Sequence, residues 1–560
     1  MEGKGAGMNL ATVWEAVART VPEEPALLHG DQVRSWSDLE HRAARLAAFL
    51  DAQGLRAGSK VALYLTNRPE YLEATFGAFK VRAATANVNY RYLEAELQHL
   101  LDNCDAEAVV FAAPFAERLG AVRAALPMLR TCLCVGADSE HPVPDWAVDY
   151  EAAIAANEPM PPIERSGEDL WLLYTGGTTG LPKGVMWPHR SMLGASSATF
   201  AAIKAPVPQD LDEVVAAVRA FHERDKAIRL LPAAPLMHGT AALTSMAVLA
   251  AGGRVVTLTS PSFDAHELCR AVQEHRISQL TIVGDAFARP IVDALEEAAG
   301  RGQPYDLSSL KVVLSSGVMW SQPVKDALHR WCDAALADAL GSSEGIGFAS
   351  SVARKGGSTS TGRFSLGEHA RVIDDHDRDV EPGSGQRGLL AVGGPIPVGY
   401  YKDPEKTAAT FRTIDGRVWS VPGDPATVEA DGTIRLLGRG SACINTAGEK
   451  VYPEEVEEVL KLHPSVRDAN VVGVPDERWG QAVVAVVSLR DDGGNDGSGP
   501  DAAALIAHAR AHLAGYKCPK RVVFVADVRR GPNGKADHRW AAEVARSADR
   551  AELVDGPGGP

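Results

Sequence analysis

The sequence predicts an α/β protein with a large N-terminal domain of mostly parallel sheets covered by helices, a small β-rich subdomain and a smaller α+β C-terminal domain. Three observations support this prediction. Apolar strand-like runs alternate with amphipathic helical segments over most of residues 1–438, a pattern typical of parallel sheets with helical crossovers. From about Asp374 the chain becomes rich in glycine and proline, with short apolar runs between. After Gly438 a second series of helix and strand patterns begins.

The elements of the N-terminal domain follow in order. Ser37, Asp38, Leu39 and Glu40 resemble a capping box, which predicts that the helix LEHRAARLAAFL starts there. The polar stretch at residues 206–226 is interpreted as a charged surface helix. The remaining patterns predict strands at residues 61–65, 108–111, 280–283 and 311–314, and helices at residues 69–81, 93–101, 265–275 and 291–299.

The C-terminal unit, residues 439–548, has its own pattern. A helix is predicted to begin at Pro453, because proline is favoured in the first turn and glutamates follow it. Residues 490–500 are interpreted as a polar surface loop, and residues 549–560 as a disordered tail. The other predicted elements are strands at residues 469–474, 482–489 and 521–525 and a helix at residues 501–513.

Composition limits the class of protein. At roughly 150 residues per domain, 560 residues suggest three or four compact units. The net charge of −15 argues against a nucleic-acid or anionic-membrane binder. Seven cysteines without a CxxC pair indicate a reducing, cytoplasmic environment. The N-terminus lacks the apolar core of a signal peptide, and prolines interrupt the most apolar window, residues 231–252, so no membrane span is predicted.

The strongest chemical signal is the run from Tyr174 to Gly184, YTGGTTGLPKG, which follows the apolar run at residues 170–173. It is predicted to be a loop leaving a strand. Its glycines allow close backbone approach to a ligand, and its threonines and Lys183 are donors suited to phosphate oxygens. It is not the P-loop pattern, because Gly184 follows the lysine. An ordinary Gly/Thr turn is the alternative.

This run resembles the phosphate-binding signature of the adenylate-forming enzymes, which include acyl-CoA synthetases, luciferases and peptide-synthetase adenylation domains. Further segments resemble the other motifs of that superfamily, in the same order and over nearly the whole chain. They are LPAAPLMHGT at residues 231–240, SSG at 315–317, GSSE at 341–344, PGD at 422–424, GR at 438–439, GEKVYPEEVE at 448–457 and GPNGK at 531–535.

The resemblance implies a role for individual residues. For catalysis it implies Lys535, Glu344 and Thr175, and for the metal Glu344 and Thr178. For the acyl pocket it implies His238, Gly239, Asp285, Gly317 and Leu340. For the coenzyme A passage it implies Gly448 and Glu449, with Ser441 as the hinge of a mobile C-terminal domain. The implied ATP-binding residues are Thr175, Gly176, Gly177, Thr178, Thr179, Gly180, Lys183, Gly341, Ser342, Ser343, Glu344, Asp424, Arg439 and Lys535.

The residue types also suit the chemistry, although each has an ordinary alternative. A lysine such as Lys535 can stabilise charge at the attacked phosphorus, and a carboxylate such as Glu344 can hold a hard cation. Taken singly, Lys535 would be a surface lysine and Glu344 a helix-start carboxylate. Asp424 would be a turn aspartate, Arg439 a salt-bridge partner and His238 a core histidine.

The chain also departs from the family pattern at several positions. Gly176 replaces a serine, and Leu340 replaces an aromatic residue that would stack on adenine. Ser441 stands where aspartate or lysine is common, Ala442 follows it where aspartate is frequent, and Pro425 stiffens the loop after Asp424. These changes affect the expected nucleotide affinity and leave the reaction class intact.

The expected function is therefore that of an ATP-dependent acyl-CoA ligase, with ATP, magnesium and coenzyme A. The amino-acid sequence between the motifs resembles that of actinobacterial synthetases for long-chain fatty acids and sterol side-chain acids. Small residues around the predicted pocket suggest room for such an acid. Two alternatives stay open: an enzyme that loads a carrier protein, and a non-catalytic adenylate-binding protein. A homodimer is compatible with the sequence, which does not determine the oligomeric state.

Overall fold

A computed structural model describes most of the chain. The described residues are 8–177, 180–196, 199–200, 206–317, 320–357, 363–437, 444–446, 449–476, 480–490, 500–513, 515–531 and 536–551. Six of the candidate site residues lie outside this part: Thr178, Thr179, Arg439, Ser441, Gly448 and Lys535. Their assignments stay predictions, as does the domain division at residues 438 and 439.

The first sheet joins a parallel half to an antiparallel half. Its parallel half contains, in spatial order, Pro25–His29, Arg254–Thr257, Arg229–Pro232, Gln279–Ile282, Val312–Ser316 and Ala335–Ser342, with Gln32–Ser35 antiparallel at the edge. Its antiparallel half is the predicted β-rich subdomain, and it begins before residue 374. That half contains Gly345–Ala353, Arg363–Leu366, Ile434–Leu436, Pro425–Val428, Arg387–Val392, Arg417–Ser420, Phe411–Ile414 and Ala370–Ile373.

The second sheet is mostly parallel and carries the glycine-rich segment. Its parallel strands are Leu170–Gly177, Ala84–Asn87, Lys60–Tyr64, Ala108–Ala112, Thr131–Val135 and Val148–Asp149. Two antiparallel strands extend its edge, Gly180–Pro188 and then Gly399–Tyr400. The predicted mostly parallel, helix-covered architecture is confirmed.

Helices cover both sheets, and most of their apolar faces pack into one large core, while a second core lies against the second sheet. Trp14, Trp36, Phe76 and Phe79 are among the fully buried side chains of the large core. The helices of this part are Leu10–Thr20, Trp36–Ala52, Pro69–Lys80, Glu94–Asn103, Ala116–Arg123, Tyr150–Ala155, His189–Ala195, Leu211–Glu223, Gly239–Ala250, Ala265–Glu274, Gly284–Gly300, Gln322–Leu328 and Pro404–Thr410, with a short 3₁₀ turn at Ala113–Phe115.

One predicted helix start is wrong by two residues. The helix Trp36–Ala52 is capped by Ser35 rather than Ser37, because Ser35 accepts from the Asp38 amide while Asp38 accepts from the Ser35 amide. Trp36 is completely buried in the core, so the helix has to begin early enough to include it. The buried Val214, Val218 and Phe221 show that the inserted helix Leu211–Glu223 also packs one face inward.

The third sheet is formed by strands from Ile444 onward, namely Glu449–Val451, Ile444–Thr446, Gly480–Leu489, Val466–Asp476 and Arg521–Phe524. Helices Pro453–Lys461 and Ala502–His512 pack on one face, and His538–Ala551 packs on the other. The helix at Pro453 begins where the sequence predicts. His538–Ala551 includes the first three residues of the predicted tail.

Candidate active site

Several candidate residues lie at or after the carboxyl ends of parallel strands in the two large sheets. His238 follows Arg229–Pro232, Asp285 follows Gln279–Ile282, Gly317 follows Val312–Ser316, and Gly341 is near the end of Ala335–Ser342. Thr175 lies near the end of the parallel strand Leu170–Gly177 in the second sheet. Ligands of parallel α/β sheets bind at this edge.

The glycine-rich segment is a β-hairpin, and the prediction of a loop leaving a strand is wrong for most of it. Leu170–Gly177 pairs antiparallel with Gly180–Pro188, with Thr175 opposite Lys183 and Gly177 opposite Gly180. Gly184 is explained by packing, because a Cβ there would lie 2.5 Å from Cε2 of Tyr174, its cross-strand partner. Thr175 is half-buried and Lys183 is about half-exposed.

Asn87 connects this hairpin to the segment that carries His238. Its Nδ2 donates to the carbonyl oxygens of Tyr174 (2.8 Å) and Met237 (2.6 Å), and its Oδ1 accepts from the Tyr174 amide (2.6 Å). The asparagine is 3% exposed. All three bonds are therefore made inside the protein, and they fix the hairpin relative to the residue before His238.

Asn67, which follows the neighbouring strand Lys60–Tyr64, bonds to the same segment that carries His238. Its Nδ2 donates to the carbonyl oxygens of Pro232 (3.2 Å) and Ala234 (3.0 Å), and its Oδ1 accepts from the Leu236 amide (2.6 Å). These bonds satisfy the backbone of an irregular stretch between the strand Arg229–Pro232 and the helix Gly239–Ala250.

Glu344 lies in a hairpin turn, not at the start of a helix. The strands Ala335–Ser342 and Gly345–Ala353 are antiparallel and pair Ser342 with Gly345, which leaves Ser343 and Glu344 in the turn. The Trp187 indole donates to the Ser343 carbonyl oxygen at 2.9 Å. The Tyr400 hydroxyl donates to Oε1 of Glu344 at 2.7 Å.

Lys183 and Glu344 both contact the segment from Tyr400 to Asp403. Lys183 Nζ lies 2.5 Å from Oδ2 of Asp403. The hydrogen bond from Lys183 is the largest cause that lowers the pKa of Asp403, followed by the Lys406 amide. Burial, and then the Glu344 carboxylate, raise the pKa of Tyr400, so its hydroxyl stays protonated and donates.

The structure gives local reasons for several residues of the predicted acyl pocket. Asp285 accepts from the amide and hydroxyl of Ser321 at 2.9 and 2.6 Å and from Arg289 at 3.1 Å. Its carboxylate therefore fixes the start of the helix Gln322–Leu328. Gly317 has φ of +95°, a conformation that favours glycine.

Gly239 and Leu340 also take part in local packing. A Cβ at Gly239 would lie 2.9 Å from Cδ2 of the buried Leu173. The contact with Leu173 is a packing reason for this glycine, and its role in the acyl pocket stays a prediction. Leu340 packs against the core of the β-rich subdomain.

The remaining candidate residues are positioned by backbone contacts. The Asp424 carbonyl accepts from the Leu390 amide at 2.9 Å, and Gly423 before it has φ of +97°. Gly176, Gly177 and Gly180 are hairpin strand residues, and Glu449 begins the strand Glu449–Val451. The roles of these residues toward ligands stay predictions.

Residues that support the site but were not predicted from the sequence include Asn67, Asn87, Trp187, Tyr400 and Asp403. Each bonds to a residue at least 56 positions away, or to a backbone group of such a residue. The only local signal is that each asparagine comes at or just after the end of a buried apolar strand.

The donor set suits magnesium held jointly with a nucleotide. Among the residues that the structure describes, no group of three or more His, Cys, Asp or Glu side chains is arranged to hold a metal ion. Magnesium commonly binds through one or two carboxylates plus substrate phosphates, so the single carboxylate of Glu344 fits that mode.

The chain belongs to the family of AMP-binding enzymes. The family model "AMP-binding enzyme" matches residues 14–401, and the model "AMP-binding enzyme C-terminal domain" matches residues 455–535. Both matches agree with the order of the motifs along the sequence.

Two relatives are similar over nearly their whole length. The 3-oxocholest-4-en-26-oate–CoA ligase of Rhodococcus rhodochrous is 42% identical, with 96% of each chain covered. The medium/long-chain-fatty-acid–CoA/3-oxocholest-4-en-26-oate–CoA ligase of Mycobacterium tuberculosis is also 42% identical, with 97% of each chain covered.

Solved structures confirm the fold. An anthranilate CoA ligase in complex with anthranoyl-AMP superimposes with a TM-score of 0.81 at 20% identity, covering 98% of this chain and 99% of its own. A Mycobacterium tuberculosis fatty acyl CoA synthetase gives a TM-score of 0.69 at 22% identity, covering 96% and 99%. In the described part of the chain, no helix combines the length and apolar character needed to cross a bilayer.

Proposed function

We propose that this AMP-binding enzyme is an AMP-forming acyl-CoA ligase for an apolar carboxylic acid, either a medium- or long-chain fatty acid or a steroid side-chain acid. The observation that carries the proposal is the 42% identity, over 96–97% of the chain, to relatives named as CoA ligases for such acids. The convergence of the glycine-rich hairpin, the Glu344 turn and the His238 segment supports it, because a ligase must hold a nucleotide and an acid together.

In the first half-reaction a carboxylate oxygen attacks the α-phosphorus of ATP, which gives acyl-AMP and releases pyrophosphate. We assign the phosphates to the hairpin with Thr175 and Lys183, and the ribose to Asp424 and Arg439. Lys535 stabilises the charge at the attacked phosphorus. Magnesium, when bound with ATP, neutralises phosphate charge, and Glu344 and Thr178 are the residues that we assign to it.

In the second half-reaction the coenzyme A thiolate attacks the acyl carbonyl, which forms the thioester and releases AMP. We propose that the C-terminal domain rotates about Ser441 between the two steps, so that Lys535 leaves and Gly448 and Glu449 border the pantetheine passage. Such closure excludes water from a hydrolysable adenylate.

The acid is placed beside the strand ends that carry His238, Gly239, Gly317 and Leu340. Asp285 is proposed to shape this wall indirectly, since its carboxylate already bonds to Ser321 and Arg289. Each buried methylene contributes about 0.8 kcal/mol, so affinity should rise with chain length until the pocket ends.

The test is a pyrophosphate-release assay over a panel of short, medium, long-chain, aryl and steroid side-chain acids. We expect the highest kcat/KM for medium or longer chains or for the steroid acid, and a preference for acetate would refute the substrate class. Thioester formation is then measured with coenzyme A and, separately, with a carrier protein that has a free thiol as the acceptor. Transfer to the carrier protein alone would refute the ligase, and no pyrophosphate with any acid would indicate a non-catalytic protein.

We also propose a cytoplasmic location, where ATP and coenzyme A are available. Six cysteines lie in the described part of the chain, and all six are buried free thiols. Thiols in this state fit a reducing compartment.

A further inference from the structure

We propose that Tyr400 is a positioning residue that holds the Glu344 carboxylate in the orientation needed for the magnesium–nucleotide complex. This inference rests on the proposed function, since it concerns the same site. The contact that carries it is the hydrogen bond from the Tyr400 hydroxyl to Oε1 of Glu344, at 2.7 Å. Glu344 lies in a two-residue turn, so its side chain needs support from another element.

The backbone of Tyr400 is held on two sides. Its strand Gly399–Tyr400 pairs with the hairpin strand, with Gly399 opposite Met186 and Tyr400 opposite Val185. The Tyr400 amide donates to Oγ1 of Thr407 at 2.9 Å. A Cβ at Gly399, which has φ of +145°, would lie 2.5 Å from Cγ2 of Thr407, so this approach requires glycine.

The ring of Tyr400 is also constrained. It packs edge-to-face on Phe411 with ring centroids 6.0 Å apart, and Lys406 Nζ lies 4.3 Å from its centroid. Because the ring is held in this way, its hydroxyl is oriented toward Oε1 of Glu344. The partners of a metal-binding carboxylate commonly set its orientation, and removing one typically weakens metal binding.

The same short segment contacts the second charged group of the site. Asp403 pairs with Lys183 and caps the helix Pro404–Thr410 by accepting from the Lys406 amide at 3.0 Å. The hairpin that carries Lys183 and the turn that carries Glu344 therefore meet the same support, which keeps their separation constant. This arrangement explains why Tyr400 lies on a strand added to the edge of the hairpin.

The test is Tyr400→Phe, which removes one oxygen and keeps the ring contacts. Tyr401→Phe is the matched control, because the neighbouring hydroxyl also donates to a carboxylate, Asp105, at 2.8 Å. ATP binding to the full chain is followed by isothermal titration calorimetry over a magnesium series. We expect Tyr400→Phe to raise the magnesium concentration for half-maximal ATP binding by about tenfold, and the KM of the acid to stay near wild type.

An unchanged magnesium midpoint in Tyr400→Phe, equal to that of Tyr401→Phe, would overturn the inference. Should Tyr400→Phe fail to fold, Thr407→Val tests the same support by removing the partner of the Tyr400 amide. We expect a smaller upward shift, about threefold, and no shift would again overturn the inference. Wild-type protein without magnesium-dependent ATP binding or acid-dependent pyrophosphate release would instead refute the proposed function.

Discussion

Replacing Asn87 by alanine should loosen two parts of the site at once. This side chain holds the Tyr174 amide and carbonyl in the glycine-rich hairpin, and it also holds the Met237 carbonyl beside His238. Alanine keeps the strand Ala84–Asn87 but removes all three hydrogen bonds. The substitution therefore removes a residue that supports the site without changing any residue that we assign to substrate binding.

The expected loss of stability follows from the groups left without a partner. An unsatisfied buried polar backbone group costs about 1–3 kcal/mol, and Asn87→Ala leaves three of them. A water that enters the vacated volume recovers part of this cost, so we expect a loss of about 3–5 kcal/mol. Because the chain has several domains, melting temperature is the practical measure, with an expected fall on the order of 5 °C.

Melting is followed by circular dichroism, and KM values are measured for ATP and for the preferred acid. Asn87→Ala should raise both KM values, since both segments lose a support. Asn67→Ala should raise mainly the KM of the acid, because the hydrogen bonds of Asn67 go to residues 232–236, which precede His238. Asn89→Ala is the control, since this partly buried side chain accepts a local hydrogen bond from the Arg91 amide, two residues away. Equal melting temperatures for Asn87→Ala and Asn89→Ala would refute the reasoning.

Three further predictions concern other parts of the chain. Burial lowers the pKa of His189 to about 3, so the ring stays neutral in the folded protein while it is protonated below about pH 6.5 in the unfolded chain. The free energy of unfolding should therefore be unaffected by this residue above about pH 6.5 and should fall by about 1.4 kcal/mol per pH unit as the pH decreases toward 3. His189→Asn keeps an acceptor for the Leu10 amide and should flatten urea-unfolding midpoints between pH 6 and 4; an unchanged slope would contradict this. Gly239→Ala should overpack the site against Leu173 and reduce the free energy of unfolding by about 1–3 kcal/mol, which lowers the melting temperature. A higher melting temperature would contradict the packing explanation. Lys535→Ala should slow adenylate formation about a hundredfold but barely affect thioester formation from supplied acyl-AMP; equal losses would contradict the domain rotation.

The regular part of the fold could be predicted because its signals are local. The helix at Pro453 begins as predicted, since proline and the following glutamates favour a first turn. The strand predicted at residues 61–65 is shifted by one residue, to Lys60–Tyr64. The prediction that Ser37 caps the second helix is wrong because the helix start depends on tertiary packing. Trp36 is buried in the core as the first residue of the helix, so Ser35 is the residue that precedes it.

The hairpin at Tyr174–Gly184 could not be predicted from its composition. Glycine and threonine are typical of loops, and the apolar alternation that marks a strand is missing there. Its strands are stabilised by neighbours distant in sequence, Ala84–Asn87 on one side and Gly399–Tyr400 on the other. Pairing of this kind depends on the assembled sheet, which no local pattern encodes.

A rule of sheet topology would have reduced the number of candidate residues that could support the site. In parallel sheets the carboxyl ends of the strands meet at one edge, so polar residues directly after apolar strands are brought together. Asn87 is the last residue of the strand Ala84–Asn87, and Asn67 follows the strand Lys60–Tyr64 by three residues. Each bonds to the segment that runs from Pro232 to Met237. Tyr400 does not follow this rule, since it lies on an antiparallel strand added at the sheet edge. The rule therefore identifies the residues that join the two sheets, whereas the support of Glu344 requires the three-dimensional structure.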